Sequence, residues 1–362
     1  MRVLFVYSYL TLGGVEAVLR ARLEGLAAYG IEAQAWFFHD FGGRSIFSGL
    51  EEQVRVGDAA ACLAYARQGF DLVSTIDTAE VFDGYEGTPA GLPPLPPLIV
   101  ECHSAYLDNI EYLRRLPRLH PAAVFTPSEH HRGLVAERVG SGIGVRVVPN
   151  PVRQDFLAEP EPFPVPPRRP VLAWIGRLDE HKNWKGFLEI AGALAGSGIA
   201  VQTWLAGRPV EAGQAAELLA RARAVGVLGR LRWFRGLPHE RIPAFLDAVR
   251  DSGGVAVTTS RGESFGMTVV EAMARRCAVL VPNMGPFTDF VTEGVSGSLY
   301  RPGSTRDAAA RLTALLGDTR LREECGRRAR EVVRERFAPG PALAVLAAAL
   351  REAQRGLAHT SV

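Results

Sequence analysis

Two glutamates with seven residues between them, Glu263 and Glu271, bracket the run Glu263-Ser264-Phe265-Gly266-Met267-Thr268-Val269-Val270-Glu271. The apolar stretch Val255–Thr259 ahead of it reads as a buried strand, and a helix is expected to begin near Gly266. Glu263 then stands at the carboxyl end of a strand, where open α/β sheets bind their ligands. The amides of Gly266, Met267 and Thr268 open the helix and lack acceptors within it, which suits a phosphate. Val270, Met273, Ala274 and Cys277 form a core-facing stripe, and Glu271 lies beside it, partly buried. A buried carboxylate needs donors, and the two hydroxyls of a ribose would serve. The plainer alternative is a capping carboxylate followed by an ordinary exposed helix glutamate.

A second set is cationic. Gly176-Arg177 ends the apolar run Val171–Ile175, and Lys182-Asn183 follows in the next loop. Arg177 and Lys182, five residues apart, can hold a diphosphate and stabilise it as a leaving group. Two solvated surface cations are the alternative, and Lys185 is a third candidate. In the first half, Gly13-Gly14 lies at a strand-to-helix turn, where backbone can approach an anion. The third glycine of a dinucleotide fingerprint is missing, so a simple tight turn remains open. His103 directly follows the run Leu98–Cys102 and could bind sugar or phosphate or act as a base, unless it is structural. No Walker A loop, no His-Glu-x-x-His and no Asp-x-Asp pair at a strand end is present.

The elements that must position these residues follow a regular rhythm. Short apolar runs alternate with amphipathic segments: Val3–Ser8, Ala33–Phe38, Leu72–Ile76, Leu98–Cys102, Val124–Pro127 and Val145–Val148, then Val171–Ile175, Val201–Leu205, Leu231–Phe234, Val255–Thr259, Ala278–Val281 and Ser298–Tyr300. Helices are expected between them, among them Val15–Tyr29, Glu129–Val139, Phe187–Ala195 and Ala212–Ala224. Such alternation implies parallel sheets covered on both faces, and two series imply two α/β domains. Pro160 to Pro170 holds six prolines in eleven residues and reads as a stiff connector. Pro89 to Pro97 reads as a surface loop. The expected organisation is residues 1–160, a linker at 161–170, residues 171–338, and a C-terminal helical segment, 339–362, that packs on its own domain or crosses back to the first.

The chain has 362 residues, with 41 basic and 39 acidic side chains and a net charge of +2. That balance makes no case for nucleic acid as a partner. Four scattered cysteines suggest neither a zinc site nor a disulfide framework and fit a reducing cytoplasm. Met1–Tyr9 reads as a strand rather than a leader, and no apolar run has the roughly 18 residues of a membrane span. A peripheral contact at the inner membrane surface stays open.

Taken together, the motifs resemble retaining glycosyltransferases of the GT-B fold, specifically glycosyltransferase family 4. The resemblance rests on Leu12-Gly13-Gly14-Val15-Glu16, on Cys102-His103, on Val148-Pro149-Asn150-Pro151-Val152, and on Gly176-Arg177-Leu178 with Lys182-Asn183. It continues through Glu263 and Glu271, Met284-Gly285-Pro286-Phe287-Thr288-Asp289, and Glu293-Gly294-Val295-Ser296-Gly297. Asp289 stands where glutamate is common, Pro286 where a second glycine is common, and Pro151 where glycine is frequent. The resemblance implies two Rossmann-like domains facing each other across a cleft, closing about the connector. It implies that Arg177 and Lys182 hold the donor diphosphate, Glu263 the donor sugar and Glu271 the ribose. Phe265 and the amides of Gly266, Met267 and Thr268 would line the donor, Gly13 and Gly14 would approach the phosphates, and His103 would lie near the transferred sugar. The implied reaction moves a hexosyl group, with retention, from a UDP-, GDP-, ADP- or dTDP-linked sugar to a small-molecule or lipid-linked acceptor, with no catalytic metal or other cofactor. A GT-B phosphorylase, a sugar-nucleotide epimerase and a non-catalytic nucleotide-sugar-binding regulator are the alternatives.

Overall fold

The computed structural model describes residues 1–358 except Leu12, residues 88–90, Ser141, residues 160–161 and residues 165–166. Leu12 of the glycine turn, Pro89, Pro160 and the end of segment 339–362 therefore lie outside the described residues. The chain forms two compact units, Met1–Arg153 with Phe337–Val362, and Gln154–Arg336.

Among the described residues, the first unit carries a seven-stranded sheet. Its strands are β1 (Arg2–Leu10), β2 (Glu32–Asp40), β3 (Val54–Val56), β4 (Leu72–Ile76), β5 (Leu98–Glu101), β6 (Ala123–Thr126) and β7 (Val145–Val147). The order is β3-β2-β1-β4-β5-β6-β7, and neighbouring strands are parallel. Both faces are covered, which is why β4 and β5 are buried at every position, Ser74, Thr75 and Glu101 included. Val3 and Phe5 of β1 pack with Leu19 and Leu23 of the helix Gly14–Gly25, whereas Leu4 and Val6 pack with Leu113, Leu116 and Val135 on the other face. The helix expected over Val15–Tyr29 ends at Gly25 and tightens into a 3-10 turn, Leu26–Tyr29, stopped by Gly30 in the left-handed region. β3 has three residues, too few to show a period.

The helix Pro339–Ala358 belongs to this first unit. Its Leu343, Leu346 and Leu350 join the core beside Val3 and Phe5. The approach is close: a Cβ on Gly25 would come within 2.2 Å of Leu343 Cδ1.

The second unit repeats the plan with β8 (Val171–Ile175), β9 (Gln202–Ala206), β10 (Leu231–Phe234), β11 (Val255–Val257), β12 (Ala278–Pro282) and β13 (Ser298–Tyr300), in the order β10-β9-β8-β11-β12-β13. Its start is at Gln154, ahead of the proline-rich stretch expected to be the connector. Two contacts explain the difference. Arg275, buried and paired with Asp247, donates from Nη1 to the carbonyls of Phe156 (3.2 Å) and Ala158 (2.8 Å). Phe163 packs its ring against Trp204, Phe234 and Phe245 at 5.6–5.8 Å. The segment is thus fastened to the second unit on both sides of Pro160.

Candidate functional site

In a doubly wound sheet the strand order reverses at one point, and the loops leaving the two central strands splay apart there to leave a crevice. In the second unit those strands are β8 and β11. The first loop carries Gly176, Arg177 and Lys182, and the second carries Ser260 and Glu263. Lys182 Nζ donates to Glu263 Oε1 at 2.5 Å, with both side chains largely shielded. Ser260 Oγ donates to the same oxygen at 2.8 Å. Asp179 organises the cations: Oδ2 meets Arg177 Nη2 at 3.1 Å, and Oδ1 accepts from the Lys182 amide at 2.8 Å. Asn183 takes the left-handed conformation (φ 51°, ψ 50°) and caps the helix Trp184–Gly196 by accepting from the Gly186 amide. Thr259 ties the loops together, since its hydroxyl donates to the Asn183 carbonyl at 2.8 Å and accepts from the Trp174 indole at 3.1 Å. An ammonium has three donors and the Glu263 contact uses one, so Lys182 retains capacity for phosphate oxygens. Glu263 likewise accepts both contacts on Oε1.

Phe265, Gly266, Met267 and Thr268 follow at the mouth of the helix Met267–Ala274. Gly266 has φ 88°, and a Cβ there would lie 2.7 Å from Phe287 Cε1. Only glycine meets both demands. The run Gly262-Glu263-Ser264-Phe265-Gly266 also spells the nucleophile-elbow pattern Gly-x-Ser-x-Gly. An elbow serine sits on the sharp turn directly after a strand. Here β11 ends at Val257, well before Ser264, and the left-handed residue is Gly266. The helix is buried on every side, with Glu271 4% exposed. Its carboxylate is met by His239 Nε2 at 3.2 Å, a partner the sequence reading passed over.

The first unit presents a differently furnished edge. Gly13 caps the helix Gly14–Gly25, and a Cβ on it would lie 2.7 Å from Glu16 Oε2. Gly14 faces open space. His103 follows β5 and is nearly buried; its amide donates to Asp77 Oδ1 at 2.9 Å, and its Nε2 lies 3.2 Å from Glu101 Oε2. Glu101 is fully buried and takes both Arg22 Nη atoms at 2.8 Å and the Ser74 hydroxyl at 2.7 Å. Burial opposes its ionisation, but the Arg22 guanidinium and His103 outweigh it and hold the carboxyl well below the usual range. Nε2 is therefore the donor to Glu101. Burial pushes Asp77 up, against His103 and the donors it accepts from.

Asp179 thus links Arg177 to Lys182, Lys182 meets Glu263, and the amides of Gly266, Met267 and Thr268 open the adjoining helix. Glu271 forms a separate pair one helical step further in. Gly14 and His103 lie at the carboxyl ends of β1 and β5 of the first sheet, two places apart. Asp179, Ser260, His239, Glu101 and Arg22 were absent from the expected set. Asp179 could have been found as the acid between two cations, and Glu101 as the charge inside an apolar strand.

The fold defines a class: two Rossmann-like parallel-sheet units of the kind seen in GT-B glycosyltransferase structures. Anabaena HepE in complex with UDP and glucose superposes over 97% of this chain and 99% of its own, with a TM-score of 0.79 at 18% identity. Sucrose-phosphate synthase from Thermosynechococcus elongatus covers 97% and 98%, with a TM-score of 0.76 at 16% identity. Within that class, residues 155–332 match the family Glycosyl transferases group 1. D-inositol 3-phosphate glycosyltransferase of Nocardia farcinica is 31% identical over 167 residues, 45% of this chain and 36% of that protein. Phosphatidyl-myo-inositol mannosyltransferase of Mycobacterium leprae is 28% identical over 197 residues, 52% of this chain and 48% of that protein. The matched part spans less than half the length of these curated relatives. No helix among the described residues is long and apolar enough to cross a membrane.

Proposed function

We propose that the protein transfers a hexosyl group, with retention of anomeric configuration, from a nucleotide-diphosphate sugar to a small-molecule or lipid-linked acceptor, in the manner of glycosyltransferase family 4. The observation that carries this reading is the Lys182–Glu263 contact at the switch point of the second sheet. It sets a cation for a diphosphate beside a carboxylate for sugar hydroxyls. Arg177 adds a second cation, the amides of Met267 and Thr268 add donors, and Glu271 with His239 offers a polar pair for the ribose. Catalysis would come from holding the reactants and from stabilising the leaving diphosphate. Arg177 and Lys182 supply that stabilisation in this reading, so it contains no metal and no further cofactor. The relatives' names, glycosyltransferases and a mannosyltransferase, support the transferase assignment. A cytoplasmic location, with peripheral contact at the inner membrane surface, belongs to the same proposal.

A thermal-shift screen of UDP-, GDP-, ADP- and dTDP-sugars tests it. A true donor at about a hundred times its Kd adds about 2.7 kcal/mol of stability. Nucleoside diphosphate release that rises with an added acceptor marks transfer, and the anomeric proton of the product reads the stereochemistry. No shift with any donor and no diphosphate release would refute the proposal.

A further inference from the structure

Three aromatic side chains face water together at the carboxyl edge of the first sheet. Tyr9 of β1 and His39 of β2 are register partners, with rings 5.9 Å apart and inclined by 25°. Phe41, just beyond β2, lies 6.1 Å from each, tilted by 36° and 33°. Tyr7 supports Tyr9 edge-on from below at 6.1 Å. Tyr9 is 49% exposed and Phe41 66%. These rings do not complete the core, because Phe37 and Phe47 beneath them already do.

The platform is held in place. The Phe41 amide donates to the Leu10 carbonyl at 2.9 Å, and Gly42 turns the chain in the left-handed region. A Cβ on Gly43 would lie 2.2 Å from the Thr11 carbonyl oxygen, so the loop after β2 runs tight against the loop that leads to Gly14. Its rim is charged. Asp40 accepts from the Gly42 amide at 2.9 Å and from Arg44 Nε at 2.6 Å, and these donors hold its carboxyl below the usual range.

A pyranose has one face of C–H bonds and a rim of hydroxyls. The C–H face complements the negative face of an aromatic ring, and paired hydroxyls complement a carboxylate or guanidinium. A lipid tail would want aliphatic neighbours, but Ile46 and Leu50 are half-buried and Phe47 is buried. We propose that Tyr9, His39 and Phe41 form a stacking platform for a sugar ring of the acceptor, with Asp40 and Arg44 binding its hydroxyls. The acceptor is then itself a saccharide-bearing molecule, an assignment that rests on the glycosyl-transfer reading.

Saturation-transfer NMR with methyl β-D-glucopyranoside, methyl β-D-galactopyranoside, methyl α-D-mannopyranoside and maltose tests the platform without turnover. The wild-type protein transfers saturation to ring C–H protons of at least one of these probes. The signal falls at least fivefold in the double variant Tyr9→Ala/Phe41→Ala and persists in Tyr9→Phe/Phe41→Tyr. Co-sedimentation with phosphatidylglycerol vesicles runs alongside. The inference is overturned by the absence of transfer to every probe, by equal transfer in the double alanine variant, or by Phe41-dependent vesicle binding without a glycoside signal. Thermal shifts with UDP, GDP, ADP and dTDP on the same samples separate the two readings. No shift with any of them in the wild type refutes nucleotide-sugar use, whereas retained binding of one of them with a failed glycoside experiment refutes the platform alone.

Discussion

The two sheets share one strand order through their first six strands but furnish their ligand edges in opposite ways. In the second unit, Arg177 and Lys182 stand at the mouth, and Arg177 is 61% exposed. In the first, Arg22, which shares Glu101 with the edge histidine, is fully buried. What remains at the first edge is a histidine, an open glycine, a set of exposed rings and the balanced pair Asp40–Arg44. The same topology therefore exposes cations in one place and a charge-balanced aromatic surface in the other. In the proposed function a diphosphate takes the former, and an uncharged hydroxylated acceptor the latter.

The largest effect should come from breaking the buried pair. Glu101→Gln leaves the Arg22 guanidinium without its counter-charge, at a loss of about 3 kcal/mol. Urea unfolding of the variant measures it, and a loss below about 1 kcal/mol would show that the first edge is not built on this pair. Next comes the cationic set of the second unit. Lys182→Ala or Arg177→Ala should lower turnover at least about a hundredfold, as for lost charge-stabilising donors. Stability of Arg177→Ala should change by no more than about 1 kcal/mol, because its arginine is mostly exposed and such pairs contribute little. Near-normal turnover in both variants would erase the contrast with the first unit.

The smallest effect is a pH slope. His131 of the first unit, fully buried with Nε2 3.4 Å from Cys102 Sγ, is pushed down to about 4 by burial, then by His103 and His130. Between that value and an unfolded value of about 6.5, the unfolded chain binds more protons. Its contribution is complete above about pH 6.5 and is lost as the pH falls toward 4, at up to about 1.4 kcal/mol per pH unit. His131→Leu should flatten urea midpoints between pH 7 and 5; an unchanged slope would place the acid sensitivity elsewhere.

Much of this was legible in the residues. The run Val171–Ile175 is apolar and Leu72–Ile76 largely so because both sheet faces are covered, and each forms a strand with those bounds. The placement of Lys182 and Glu263 at strand ends also followed from pattern. Their direct contact did not, because it joins side chains 81 positions apart. Glu101 was read as part of a strand without remark, since its partner Arg22 lies 79 positions away. The start of the second unit was hidden for another reason. Arg275 grips backbone carbonyls, and every residue has one, so nothing in residues 154–158 signals the attachment.

The helix Pro339–Ala358 carries a consequence for synthesis. Leu343, Leu346 and Leu350 leave the ribosome after the whole of residues 154–336, which form a contiguous unit able to fold as it emerges. The amino-terminal sheet must wait, with Val3 and Phe5 lacking part of their cover, until that helix arrives. Assembly then runs against the usual order in which amino-terminal domains finish first, and the nascent protein's window for chaperone capture falls on the part made earliest.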